Sequence, residues 1–223
     1  MKFDITDFNT KVFFIGYNKT ATSTIHKVFK LNDFKSVHNP DWAKLNLKKF
    51  QIFSDTGNGC VPNFKIEKAF EKYSNSIFVL NTRSLDGWLR SRCKHYYWRG
   101  KFKGWKKYYP VTNELIEEWI LYRNAYYSKV LNFFENKKNR FLILNIEESD
   151  WLENMCKKFN IKYKNVFENK SLTNGDKYLQ VEGEVIESSY LQKIDECIEK
   201  AYEKLSVKNP QSHLLIDFTK NDT

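Results

Sequence analysis

Few residues in this chain have the types and spacing for chemistry, and they fall into two groups. The first is Gly16-Tyr17-Asn18-Lys19-Thr20-Ala21-Thr22-Ser23-Thr24, one lysine among four hydroxyl residues. Placed between a buried strand and a helix, such a loop offers backbone N–H groups, hydroxyls, a cation and the positive end of the helix dipole. That combination suits a phosphate or a sulfate. The second group is Arg83 with Ser91 eight residues on. Arg83 follows an apolar run, and Ser84 and Ser91, seven apart, share a helix face. A planar guanidinium contacting two oxygens, with a hydroxyl on the same side, can grip one phosphate.

The elements needed to hold these groups are legible in the apolar rhythm. Residues 11–16 read as a buried strand, and Ile25, Val28, Phe29 and Leu31 set a helix over 22–31. Lys35 to His38 is a short strand ending at the turn Asn39-Pro40, and residues 41–49 are expected to form a short helix. Gln51 to Ser54 is a strand running into the loop Asp55-Thr56-Gly57-Asn58-Gly59. Phe64, Ala69, Phe70 and Tyr73 mark a helix within 63–73, and Ser76 to Leu80 is a strand buried on both faces. Ser84 caps the next helix, which carries Leu85, Trp88 and Leu89. A long helix over 112–135 presents Leu115, Trp119, Tyr122, Tyr126, Val130 and Phe133 on one face. Phe141 to Ile146 is expected as another buried strand, followed by a helix over 149–159. A last helix over 187–205 has Leu191, Ile194, Ile198, Ala201 and Leu205 inward.

Strands alternating with helices imply an α/β fold, a three-layer α/β/α sandwich around a mostly parallel sheet. Ligands of such sheets sit at the carboxyl ends of the strands. That directs attention to residues 17–24, His38, Asp55-Thr56, Asn81 to Ser84 and Glu147-Glu148. The length, 223 residues, fits one domain, with a motif-bearing core over about residues 11–170.

The loop does not follow the triphosphate-binding pattern G-x-x-x-x-G-K-[ST]. Ala21 stands where the second glycine belongs, and the lysine comes early, at position 19. The order Lys19-Thr20-Ala21-Thr22-Ser23 instead resembles the 5′-phosphosulfate loop, K-x-G-T-[ST], of the PAPS-dependent sulfotransferases, with Ala21 departing from the family's glycine. Arg83 and Ser91 match the spacing by which that family binds the 3′-phosphate of PAPS. The resemblance covers roughly residues 11–170. It implies a P-loop-like fold and transfer of a sulfuryl group from the co-substrate PAPS to a hydroxyl or amine acceptor, a carbohydrate or small molecule. It further implies 5′-phosphate binding by Asn18, Lys19, Thr20, Ala21, Thr22, Ser23 and Thr24, with Lys19 at the bridging oxygen, and no metal. A hydroxyl acceptor needs a base. Asp55, after the strand preceding the arginine motif, is the first candidate, and His38, at another strand end, is the second. Phe167 to Ser171 weakly resembles a late loop closing over the nucleotide.

Two other readings fit the same residues: a kinase-like phosphotransferase on a related fold, and a non-catalytic nucleotide- or RNA-binding protein. The net charge of +10, from 37 Lys plus Arg against 27 Asp plus Glu, permits a polyanionic partner. Lys94 to Lys107 is basic and aromatic, and is expected to form a mobile lid hinged at Gly100 and Gly104. No nucleic acid is expected as partner. There is no apolar run of membrane-spanning length, and the acidic N-terminus lacks the apolar core of a signal peptide, so a cytoplasmic protein is expected. Cys60, Cys93, Cys156 and Cys197 are too dispersed for a metal knuckle and read as reduced, buried thiols.

Overall fold

The computed structural model describes residues 2–41, 45–55, 64–103, 110–164, 166 and 186–216. Two compact units emerge, one from Met1–Thr82 and Lys129–Lys170, the other from Arg83–Ser128 and Ser171–Thr223.

The first unit is an α/β structure. Among the described residues its sheet has five strands: β1 (Val12–Phe14), β2 (Ser36–His38), β3 (Ile52–Ser54), β4 (Ile77–Thr82) and β5 (Phe141–Asn145). All pair in parallel, in the order β2-β3-β1-β4-β5. From β1 the chain goes to the edge strand β2, returns to β3 beside β1, and then crosses to the other side at β4. The carboxyl end of β1 is therefore the switch point at which open parallel sheets place ligands.

Alternation along β1 divides the core. Val12 and Phe14 join Ile25, Val28 and Phe29 of α1 (Thr22–Leu31) and Met155, Cys156 and Phe159 in and after α5 (Trp151–Lys158). Phe13 faces the opposite way, with ring centroids 4.8 Å from Phe53 and 5.2 Å from Phe78. Phe78 in turn meets Phe70 of α2 (Ile66–Lys72) and Phe134, at the end of α4 (Asn113–Phe134). Helices thus cover both faces, consistent with the three-layer sandwich.

Several expectations need correction. Residues 41–49 do not make an α-helix in their described part: only a 3-10 turn, Leu47–Lys49, forms. The Asn46 side chain accepts from the Lys48 amide, a local bond that competes with helix propagation. β5 is half-exposed, because it is an edge strand with β4 as its one neighbour; Leu144 is buried and Ile143 is 36% exposed. The buried stripe of α4 also differs from the expected one. It consists of Ile116, Trp119, Ile120, Arg123, Tyr127, Val130 and Phe134, while Tyr122 lies 45% exposed.

In the second unit, α3 runs from Leu85 to Lys103. The lid expected from Lys94 is therefore helical as far as Lys103, and Gly100 lies inside the helix instead of at a hinge; residues 104–109, with Gly104, lie outside the described residues. Burial of Cys93, Tyr97 and Trp98 at helical spacing explains the continuation. Helix α6 (Ser188–Lys204) lies against α3, with Tyr97 and Tyr190 ring centroids 4.0 Å apart and Arg90 bonded to Asp195. Ile194, Ile198 and Ala201 are buried as expected, and Tyr190 and Cys197 join them. Arg92 is sandwiched among Trp88, Tyr96 and Trp119, its guanidinium 4.4 Å from the Trp119 ring centre. Cys93, Cys156 and Cys197 are free, buried thiols. Among the described residues no helix is long and apolar enough to cross a membrane.

Candidate anion site

Register alone brings the first group of residues together. Phe14 and His38 both stand level with Ser54 in the parallel ladder. The residues that follow β1 and β3, and His38 at the end of β2, therefore share one edge of the sheet.

The loop after β1 is held from β4. Asn81 is fully buried and spends its amide on the loop: its Oδ1 accepts from Gly16 N at 2.9 Å, and its Nδ2 donates to Thr20 O at 2.8 Å and Thr20 Oγ1 at 2.7 Å. Thr20 Oγ1 also donates to Tyr17 O. Gly16 is required by this close approach, since a Cβ there would lie 1.9 Å from Asn81 O. Held in this way, the chain enters the left-handed region at Lys19 (φ 67°) and again at Ala21 (φ 61°). A left-handed residue followed by right-handed helix turns successive amides toward a common centre, a concavity suited to an anion.

Ala21 is also the N-cap of α1 and forms no side-chain cap bond. An apolar cap cannot accept from the first helical amides, which by helix geometry have no partner inside the helix. The first turn of α1 carries no acidic residue of its own to oppose a bound anion.

Thr22, Ser23, His38 and Asp55 converge. His38 Nε2 lies 3.1 Å from Thr22 Oγ1, 3.2 Å from Ser23 Oγ and 3.8 Å from Asp55 Oδ2. The His38 side chain is 28% exposed and that of Asp55 9%. All three oxygens address the same ring nitrogen, so this is not the arrangement of a serine hydrolase, where serine and carboxylate occupy opposite nitrogens. Asp55 adopts a left-handed turn conformation (φ 76°), which Asp tolerates better than most residues. His26 lies beside this group: its Nδ1 is 2.8 Å from Ser36 Oγ, and its ring centre is 5.9 Å from that of His38.

The candidate residues of the loop divide by exposure. Asn18, Lys19, Ala21 and Thr24 are half-buried and Ser23 is exposed, whereas Thr20 is buried with its hydroxyl committed to Tyr17 and Asn81. Any part for Thr20 in binding falls to its backbone.

Arg83 and Ser91 belong to the second unit. Arg83 follows the last residue of β4 and is half-buried, as is Ser91 on α3. Ser84 caps α3 as expected, its Oγ accepting from Gly87 N at 3.1 Å. Phe167 to Ser171 lies outside the described residues.

Two residues organise these groups in ways the sequence pattern does not specify: Asn81, expected only at a strand end, and Arg123. Asn81 interrupts the apolar run Phe78-Val79-Leu80, and a polar residue inside a buried strand was the available signal. Arg123 falls on the apolar stripe of α4 and is 1% exposed, with its guanidinium on three carbonyl oxygens: Arg83 O, His213 O and Leu214 O. Among the described residues no group of three or more His, Cys, Asp or Glu side chains could hold a metal ion. Neither the protein-family models nor the curated proteins gave a match to this chain.

Proposed function

We propose that this protein is a PAPS-dependent sulfotransferase. The observation that carries the reading is the cradle after β1: a loop turned left-handed at Lys19 and Ala21, an α1 N-terminus without a side-chain cap, and Thr22 and Ser23 in contact with His38, which has Asp55 beside it. The 5′-phosphosulfate takes the loop and helix amides. The 3′-phosphate falls to Arg83 and Ser91, a second grip that a nucleoside triphosphate does not need.

In the reaction the acceptor oxygen attacks sulfur, the bond from sulfur to the 5′-phosphate oxygen breaks, and the acceptor proton passes to a base. Lys19 neutralises the charge growing on the departing phosphate oxygen. Of the two candidate bases His38 is the better disposed. It is the more exposed, its Nε2 faces the hydroxyls that border the cradle, and the buried Asp55 carboxylate favours the imidazolium that forms. The acceptor is a hydroxyl or amine of a carbohydrate or small molecule.

Titration calorimetry with PAP and with ATP plus Mg²⁺ tests the co-substrate. Micromolar PAP binding with weak ATP binding is expected; the reverse preference sinks the proposal in favour of a phosphotransferase. Turnover of labelled PAPS over an acceptor panel tests the chemistry. His38→Ala should lower kcat at least a hundredfold with little change in PAP affinity, and Lys19→Ala should lower kcat as much and also weaken PAP binding.

A further inference from the structure

We propose that the outer edge of β5 docks against the same edge of a second copy of this chain, antiparallel and with a two-fold axis at Ile143, so that two five-stranded sheets become one. The inference is independent of the reading of the anion site.

The backbone of β5 defines that edge. Ile146 N donates to Thr82 O at 3.0 Å, and Leu144 O accepts from Thr82 Oγ1 at 3.3 Å. Residues 144 and 146 therefore face β4, and by the alternation of a strand so does Leu142. Phe141, Ile143 and Asn145 turn their backbone groups the other way, where the sheet has no further strand among its described residues. Of these groups, Phe141 N is used locally, donating to Lys138 O. The strand itself carries no guard. Phe141-Leu142-Ile143-Leu144-Asn145 contains no charge and no proline, and Ile143 is 36% exposed. Proteins commonly protect an open edge with such residues, because a row of unpaired backbone groups recruits another strand.

The edge fits itself. In an antiparallel pair, outward-facing residues must stand opposite one another to exchange hydrogen bonds. An axis at Ile143 engages all three: Ile143 faces its own copy, and Phe141 faces Asn145. Backbone bonds then run in both directions between the two Ile143 residues, and from each Asn145 N to the opposite Phe141 O. The exposed Ile143 side chains meet across the axis, with Cα atoms about 5.5 Å apart.

The flanking charges select a second copy over an unrelated strand. Lys137 and Lys138 precede β5, and Glu147 and Glu148 follow it. A two-fold axis lays the basic end of one copy along the acidic end of the other. Lys138 and Glu148 each stand five positions from Ile143, so the register that pairs the backbones also brings these two together. Both are exposed, and neither joins an ion pair among the described residues. The net charge of +10 opposes association of like copies, and this local complement offsets it where they meet.

Sedimentation velocity on the full chain, from micromolar concentration up to about 1 mM, tests the proposal. A monomer–dimer equilibrium is expected. Ile143→Pro removes the outward N–H without touching the bonds to β4, a change that edge strands tolerate, and should abolish the dimer. Lys138→Glu places like charges at both ends of the interface and should raise the dimer dissociation constant roughly tenfold; adding Glu148→Lys should return it to within about threefold of the parent. Such a rescue cannot come from misfolding. A chain that stays monomeric throughout overturns the inference, whether the Ile143 and Asn145 amides exchange slowly, the edge being covered within the chain, or fast, the edge staying open. A dimer that Ile143→Pro leaves intact overturns it, as does one that the double reversal makes no tighter than Lys138→Glu alone.

Discussion

Replacing Ala21 by glycine should make the protein more stable, contrary to the usual cost of glycine near a helix. Ala21 is held at φ 61° and ψ 22°, the left-handed region, and forms no side-chain cap bond. An L-residue with a Cβ pays about 1–2 kcal/mol there. Glycine removes that strain but widens the unfolded ensemble, which costs about 0.4–1 kcal/mol. Glycine is also the better N-cap of the two. The balance is a gain of about 0.5–1 kcal/mol, equivalent to a rise of roughly 1–4 °C in Tm for a chain of this size. Urea unfolding at constant m-value measures it. Thr20→Gly is the internal control. Thr20 is fully buried, has no positive φ, and places its hydroxyl on Tyr17 O and Asn81, so the same kind of change one position earlier should destabilise by about 2 kcal/mol. A loss of 1 kcal/mol or more in Ala21→Gly would refute the left-handed assignment, and with it the argument that the loop amides converge.

Gly16→Ala puts a Cβ 1.9 Å from a backbone oxygen of β4, which no side-chain rotation relieves; a loss of about 3 kcal/mol or more is expected in urea unfolding, and near-native stability would contradict the close approach. Arg123→Met removes the donor from three carbonyl oxygens and should cost about 3 kcal/mol, with limited proteolysis reaching residues 210–216 sooner than in the parent. Burial raises the Cys93 thiol from 9.0 to about 12 and, in the same direction, the Cys156 thiol to about 11. The unfolded chain loses these protons near pH 9 while the folded chain keeps them, so stability should be full below pH 9 and fall as pH rises toward 12. The fall is at most roughly 1.4 kcal/mol per pH unit per thiol. Cys93→Ala should flatten the decline measured between pH 8.5 and 10.5, and an unchanged slope would count against the burial of Cys93.

Where signal and structure share a short range, the sequence is a good guide. The boundaries of α1 follow from a glycine and hydroxyl run giving way to apolar spacing of three and four, and Ser84 is a cap because its oxygen reaches an amide three residues on. What fails depends on distant partners. The strand order β2-β3-β1-β4-β5 is a set of pairings between segments up to about 65 residues apart, and it alone makes His38 and Phe14 level with Ser54. The face of α4 misleads because aromatic residues surround the helix. Tyr122 offers an apolar ring and Arg123 a charge, yet it is Arg123 that is buried, since its partners at 213 and 214 lie about 90 residues away. Gly100 reads as a hinge until the burial of Tyr97 and Trp98 shows the helix held by contacts that override a weak local preference.

The alanine in the loop is best understood through Asn81. In a loop shaped by its own residues, position 21 would need glycine, because only the local energy would select a left-handed backbone. Here the selection is made from the neighbouring strand. Three hydrogen bonds from one buried amide fix Gly16 and Thr20, and the chain between Thr20 and the first turn of α1 then has little freedom except the conformation observed. Each of those bonds contributes about 1 kcal/mol net, which together offsets the strain at Lys19 and Ala21. The methyl of Ala21 is therefore tolerated without changing where the amides point. The shape of this loop is thus a property of β1 and β4 together, and position 81 governs it as firmly as any residue within it.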